Sequence, residues 1–347
     1  MLLEKRTAVK PLGAHTALGH LHELNRWKDI PYLDRNDGML PPFIIAVGSR
    51  VRVLRSPDIL KLKDPIFIDQ EALSKVGLEA YGRVAILIGM YETAGFAFPL
   101  AVVETQMGCS ATQINLKELM YFARDDEYNI NHRTVKSDSL YVIRAGTCAG
   151  VNSSSPAEVK TGIGDILIAT ESYGSIGALI QSTLSELGFT GINAADKVDA
   201  LRRLLSEHRV LRLSHDTKNM RTECSTRLIL QLQRAADKRD LRNLVGPNFT
   251  KDSLYAEMGE DDFAALRDTY GVISTEMEEP VIDVLAAEFR KAGMQAHTGL
   301  ISAAIGAIPG KSFAETPAEK KAAADAEENI LRIAADAFGN IARALNQ

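Results

Sequence analysis

Cysteine is scarce in this chain. Cys109, Cys148 and Cys224 are the only three in 347 residues, and they are widely spaced. They make neither a disulfide framework nor a CxxC metal knuckle, so a reduced, cytoplasmic setting and no metal centre are expected. Long apolar runs are missing too: none approaches the roughly 18 residues of a membrane-crossing helix. Met1 to Lys10 carries scattered charges and lacks the apolar stretch of a secretory leader. There is also no surplus of positive charge. Forty Lys and Arg against 45 Asp and Glu leave a net −5, the wrong sign for the broad basic face of a nucleic-acid binder. Any anion site must be local, built from a few arginines held at strand ends. With no internal repeat and no Gly-, Ser- and Pro-rich linker, one catalytic-sized domain is the simplest division.

The apolar pattern supplies an alternation of strands and helices. Residues 1–40 are polar and rich in His, Asp and Gly, and read as an N-terminal arm; residues 41–347 read as the domain. Pro41-Pro42 introduces a short apolar run over 43–47 that reads as a buried strand. Further strands are expected at 84–90, 98–105, 139–146, 165–169, 272–277 and about 298–305. Helical spacing marks 110–125, 279–292 and the alanine-rich stretch 317–345. Two strands follow one another directly while others alternate with helices, so the expected fold is α/β, a single domain with a mixed central β-sheet flanked by helices. The charged stretch at about 176–222, with its clearest helix at 197–208, reads as an insertion.

Four short segments place polar groups where buried strands end, the usual ligand position in open α/β sheets. Gly48-Ser49-Arg50-Val51-Arg52 follows the first strand. Glycine admits a backbone N–H close to an anion, and Arg52 could fork onto its oxygens; the same residues would also suit a turn with solvated arginines. Arg144-Ala145-Gly146-Thr147-Cys148-Ala149-Gly150 puts a guanidinium at the end of an apolar strand, where it needs a partner, either a ligand or a structural carboxylate. Thr275-Glu276-Met277-Glu278-Glu279 sits at a strand–helix junction. A carboxylate there can accept from two vicinal hydroxyls, although acidic residues also favour first turns of helices. Glu104-Thr105-Gln106-Met107-Gly108-Cys109-Ser110 leads from a strand into a helix whose first N–H groups could face a ligand. Gly306-Ala307-Ile308-Pro309-Gly310-Lys311-Ser312 falls one residue short of a phosphate-binding P-loop and is set aside. Cys148 has no adjacent base and suits a pocket wall better than a nucleophile. His20 and His22 suit a solvent-exposed arm better than a metal site.

These segments, together with Tyr141–Ile168, Thr250–Tyr255 and Ser274–Gly293, resemble the trimeric/hexameric nucleoside phosphorylase family in order and spacing, most closely its uridine-cleaving branch. The resemblance implies a phosphate site made of Gly48, Arg52, Arg144 and Thr147, with Arg83 reaching it from a neighbouring subunit. It implies that Met277 and Glu278 hold the ribose, Glu278 through the 2′- and 3′-hydroxyls. It places Cys148, Ala149, Leu254, Met258 and Glu276 around the base. Met258 and Glu260 stand where uracil-reading relatives carry Gln and Arg. Purine-cleaving relatives carry an Asp after the last core strand, and Ser302-Ala303-Ala304-Ile305-Gly306 has none, which favours a pyrimidine.

The activity implied is phosphorolysis of a nucleoside, uridine plus phosphate giving uracil and ribose 1-phosphate. No cofactor is implied beyond inorganic phosphate as co-substrate. The family's shared sites imply a homo-oligomer with a dimer as its smallest unit, and allow a structural cation between subunits near Glu92 or Glu104. No nucleic acid or membrane partner is expected. A nucleosidase using water and a non-catalytic nucleoside-binding protein are the competing classes; phosphate dependence separates the first, and the retention of Arg52, Arg144 and Glu278 argues against the second.

Overall fold

Phe43, Ile45 and Val47 point to one side of the first strand, and Ile44 and Ala46 to the other. Both sets are completely buried, as the period-two geometry of a central strand requires. The computed structural model describes residues 13–346 apart from 76, 79–82, 94, 124–126, 131–132, 137–138, 175–220, 252–258 and 312. All but the last two residues of the expected insertion at 176–222 therefore lie outside the described residues.

Around strand β1 (Phe43–Val47) lies a mixed sheet, as the sequence predicts. β1 runs parallel to β4 (Phe96–Glu104) and to β7 (Ser139–Val151). β3 (Ile86–Thr93) and β2 (Lys63–Ile68) extend the sheet antiparallel beyond β4. On the other side, β12 (Gln295–Ile308) is parallel to β7 and antiparallel to β8 (Ile166–Gly174). β8 continues through β10 (Asn243–Thr250) to the three-residue β11 (Ser274–Glu276). β11 pairs back onto the far end of β7, Ser274 opposite Gly150, which closes this half of the sheet into a small barrel. β9 (Arg221–Glu223) adds to the edge of β8, and β5 (Glu127–Ile130) and β6 (Arg133–Lys136) form a separate hairpin.

Helices cover both faces. On the Phe43 side lie α3 (Arg50–Leu60), α6 (Thr226–Asp237) and the 29-residue α9 (Pro317–Leu345). α9 buries Ile330, Ile333, Ala334, Ala337, Phe338 and Ile341 at three- and four-residue spacing. Each large apolar side chain so buried contributes about 1.5–3 kcal/mol. On the Ile44 side lie α1 (Ala17–Glu23), α2 (Pro31–Arg35), α5 (Cys109–Tyr121) and α8 (Glu279–Lys291). The short α4 (Gln70–Ser74) and α7 (Glu260–Tyr270) cap the periphery.

The described part of the N-terminal segment is not a free arm. Ala17, Leu18, Leu21, Ile30, Leu33, Met39 and Leu40 are all buried in the core on the Ile44 side. The cause is one carboxylate. Glu118 of α5 is almost wholly buried and accepts from the backbone N–H of Thr16 at 2.8 Å and of Gly19 at 3.1 Å, and from the Thr16 hydroxyl. It thus caps the start of α1, where unpaired N–H groups and the helix dipole favour an anion. At Gly19 a Cβ would run into Glu118 Oε1 and displace that carboxylate. His22 is likewise not a solvent-facing side chain: its ring stacks on Phe122 at 3.9 Å between centroids and meets Gly38 O at 2.7 Å.

Candidate active site

Two strand ends and the second half of β7 meet at one cavity of about 470 Å³; β7 runs on to Val151, past the end at 146 that the sequence suggests, so Arg144 stands in mid-strand. β1 delivers Gly48 and Ser49, then turns into α3 at once, so Arg52 projects from the first turn of a helix and not from a solvated loop. β7 delivers Arg144, Thr147, Cys148 and Ala149; β11 and the following turn deliver Thr275, Glu276, Met277 and Glu278. All these residues line the cavity, as do Met107, Lys251, Glu260, Phe263, Ile305, Ile308 and Phe313.

The centre of the cavity is an ion pair. Arg144 Nη2 lies 2.8 Å from Glu278 Oε2, and both residues are 4% exposed. Gly108 N–H, at the start of α5, donates to Glu278 Oε1 at 2.9 Å. Burial opposes the charge on each partner, and each answers it for the other. Arg144 is held above the ordinary arginine value by Glu278 and Glu276, while the Arg144 charge and the Gly108 N–H hold Glu278 below the ordinary carboxylate value. The Arg144 Nε has no hydrogen-bond partner, so the guanidinium keeps unused donor capacity while fully buried. The side chain folds back over its own strand: Nη1 donates to Ala145 O at 3.0 Å and would lie 2.9 Å from a Cβ on Gly146. A side chain at 146 would push on the guanidinium two positions before it.

Arg52 forms the second cationic wall. Its Nη2 reaches Thr147 Oγ1 at 3.4 Å, and its Nε is held by Glu327 of α9 at 3.2 Å. The long C-terminal helix thus aims a guanidinium at the β7 hydroxyl. A cavity with two arginines and a threonine hydroxyl has donors an oxyanion requires. The Arg144 partner Glu278 supplies the acceptor that a diol requires.

Glu276 also lines the cavity, but both its oxygens are engaged. Oε1 accepts from Asn248 Nδ2 at 2.9 Å and from the Thr250 hydroxyl; Oε2 accepts from the N–H groups of Glu278 and Glu279 at 2.7 and 3.0 Å. It caps α8 and ties β10 to β11. Burial, then the Glu278 charge, push its pKa up to about 7. Cys148 is no nucleophile: burial, then Glu276, push its thiol well above the ordinary value.

Arg83 is exposed and does not line this cavity; its carbonyl accepts from Arg50 Nη2 at 2.9 Å. Leu254 and Met258 lie outside the described residues. Glu92 pairs with Lys63 at 2.6 Å, and Glu104 with Arg50 at 3.2 Å. Lys251 escapes the sequence reading because it follows a strand, β10, that Gly246 and Pro247 disguise; its position directly after the last strand residue is the signal that could have found it. Burial lowers its pKa, and its ammonium sits 5.8 Å from the Phe263 ring centroid.

The architecture is that of a nucleoside phosphorylase-like α/β domain. Among solved structures, the chain is similar to uridine phosphorylase from Vibrio fischeri ES114 complexed with 6-hydroxy-1-naphthoic acid, with a TM-score of 0.56 at 15% identity over 87% of this chain and 92% of that one. It is similar also to purine nucleoside phosphorylase from Toxoplasma gondii in complex with immucillin-H, with a TM-score of 0.55 at 18% identity over 88% and 93% of the two chains. No family model matches the chain, and no curated protein does. Among the described residues no helix is long and apolar enough to cross a membrane.

Proposed function

We propose that this chain is a nucleoside phosphorylase that cleaves a pyrimidine nucleoside, uridine first, with inorganic phosphate. The observation that carries the reading is the buried Arg144–Glu278 pair opening onto the same cavity as Arg52 and Thr147. In this assignment phosphate lies between Arg52, Arg144 and Thr147, with Gly48 at the close backbone approach. Glu278 accepts from the ribose hydroxyls, and Met277 packs under the sugar.

Cleavage of the glycosidic bond develops positive charge on the ribose. A phosphate dianion held at the C1′ side stabilises that charge and then forms the new C–O bond, so no protein nucleophile is required. The rate gain comes from positioning and from donors already aimed at the oxyanion. Cys148 and Ala149 wall the base. Lys251 is assigned to the departing base: burial lowers the cost of giving up its proton as negative charge builds on the uracil. Glu276 acts on the site by fixing Glu278, not by reading the base. The absence of an acid within 302–306 supports a pyrimidine over a purine. Arg83 is assigned to the neighbouring subunit's phosphate, which makes a homodimer the smallest active unit.

The test is a panel of nucleosides with and without phosphate, followed by release of free base. Uridine cleavage that requires phosphate and yields ribose 1-phosphate is expected. Base release at equal rates without phosphate would make the protein a nucleosidase, and binding without turnover would make it a non-catalytic nucleoside binder.

A further inference from the structure

Outside the cavity, next to Glu278, three side chains from two distant segments converge. Cys224 follows β9 and immediately precedes Ser225, the N-cap of α6. Glu279 and Asp283 lie one turn apart in the first turns of α8. The Cys224 sulfur and one carboxylate oxygen from each acid all lie within 4.8 Å of one another. The three residues are 6%, 0% and 4% exposed. Glu279 Oε2 and Asp283 Oδ2 have no hydrogen-bond partner, and neither carboxylate forms an ion pair among the described residues. Asp283 Oδ1 accepts from the Thr298 hydroxyl at 2.6 Å, and the Thr222 hydroxyl, two residues before Cys224, lies against the same carboxylate.

Two carboxylates this deeply buried are costly to leave unpaired. Burial pushes all three groups towards their protonated forms, which relieves part of that cost; a small cation held between them would relieve it instead, and the donor set selects its type. A thiolate disfavours magnesium and calcium, which take oxygen alone, while two carboxylates disfavour copper(I). Zinc accepts both. With sulfur about 2.3 Å and oxygen about 2.0 Å from zinc, a tetrahedral sulfur–oxygen edge is about 3.5 Å. Cys224 Sγ and Glu279 Oε1 are 3.4 Å apart.

We propose that Cys224, Glu279 and Asp283 supply three ligands to one zinc-class divalent ion in a buried structural site, with a water in the fourth position. The ion would staple the segment entering α6 to the start of α8, one residue from Glu278. Loading it displaces the Cys224 thiol proton to solvent and fixes the helix end that presents Glu278 to the cavity.

The test uses the untagged full-length chain, incubated with zinc and then freed of loose metal by gel filtration. About one equivalent of zinc per chain is expected by elemental analysis, with a higher melting temperature than the metal-stripped protein. Cobalt in place of zinc should give visible d–d absorption and a sulfur-to-cobalt charge-transfer band. Cys224→Ser should lose the charge-transfer band, and Asp283→Asn should lose the bound equivalent with the circular-dichroism spectrum retained. Native chain that retains no metal overturns the proposal, and so does a cobalt spectrum unchanged in Cys224→Ser. If Asp283→Asn fails to fold, the cobalt spectra of the native chain and Cys224→Ser decide the matter alone.

Discussion

Arg144 and Glu278 define the chemistry of the cavity and also a liability in its wall. Each is buried, and each favours the charged form of the other. Arg144→Met leaves Glu278 as a lone buried anion, and a loss of about 3–5 kcal/mol is expected. Adding Glu278→Gln removes that anion, and a neutral pair of similar volume often stands in for a buried ion pair at little cost. Urea denaturation of the two single variants and the double variant should therefore show strong coupling, with the double variant more stable than Arg144→Met alone. Phosphate-dependent turnover should be lost in all three. Strictly additive destabilisation would mean that the two groups are held by other partners, and the site would have to be redrawn. The residue-scale roles were partly legible in the sequence, because a guanidinium within an apolar strand announces a partner. The identity of that partner was not legible, since Arg144 and Glu278 meet across 134 positions.

At the scale of elements, long periodic segments were readable and short ones were not. The predicted helix at 317–345 matches α9, and the Thr316/Glu319 capping box that opens it is a local signal. α3 was hidden because Gly48-Ser49-Arg50 also suits a turn, and β10 because Gly246 and Pro247 interrupt its alternation. The docking of residues 17–40 was invisible, because it depends on a glutamate about a hundred positions away. That docking reverses an ordinary expectation. Alanine stabilises a helix relative to glycine by about 1 kcal/mol from propensity alone. In α1, Gly19→Ala should instead destabilise by on the order of 2 kcal/mol, since its Cβ displaces the Glu118 carboxylate from the helix start. A thermal melt gives the sign directly, and a raised melting temperature would show that Glu118 does not hold α1. α9 offers a pH test. The Glu319 carboxyl is drawn down from 4.5 to about 2, first by Lys311 and then by the Thr316 N–H. A depressed pKa in the folded state stabilises at neutral pH and is lost as pH falls from about 4.5 towards 2. The stability gap between the native chain and Glu319→Gln should therefore shrink across that window; a gap that stays constant would detach the cap from its charge.

For the whole molecule, a net charge of −5 supplies no broad field to draw in an anion, so the proposed phosphate site would depend on a few guanidinium groups at close range. The chain itself supplies two of them to the cavity, Arg52 and Arg144. The third, Arg83, lies outside that cavity. If Arg83 serves the neighbouring subunit, then one active site draws on two chains, and subunit mixing makes this measurable. Arg83→Ala and Arg144→Met should each be inactive alone. In a mixed dimer, one site carries both substitutions, while the other takes a native Arg144 from one chain and a native Arg83 from its partner. With random pairing of equal amounts, half the dimers are mixed and half their sites are native, so about a quarter of native turnover should return. The mixture must be unfolded and refolded together, or exchanged at low concentration, for the chains to redistribute. Recovery near that fraction assigns Arg83 across the interface. A mixture as inactive as its components assigns Arg83 to its own chain's site. Arg83→Ala that keeps native turnover before any mixing assigns it to no site, with the phosphate held by Arg52 and Arg144 alone.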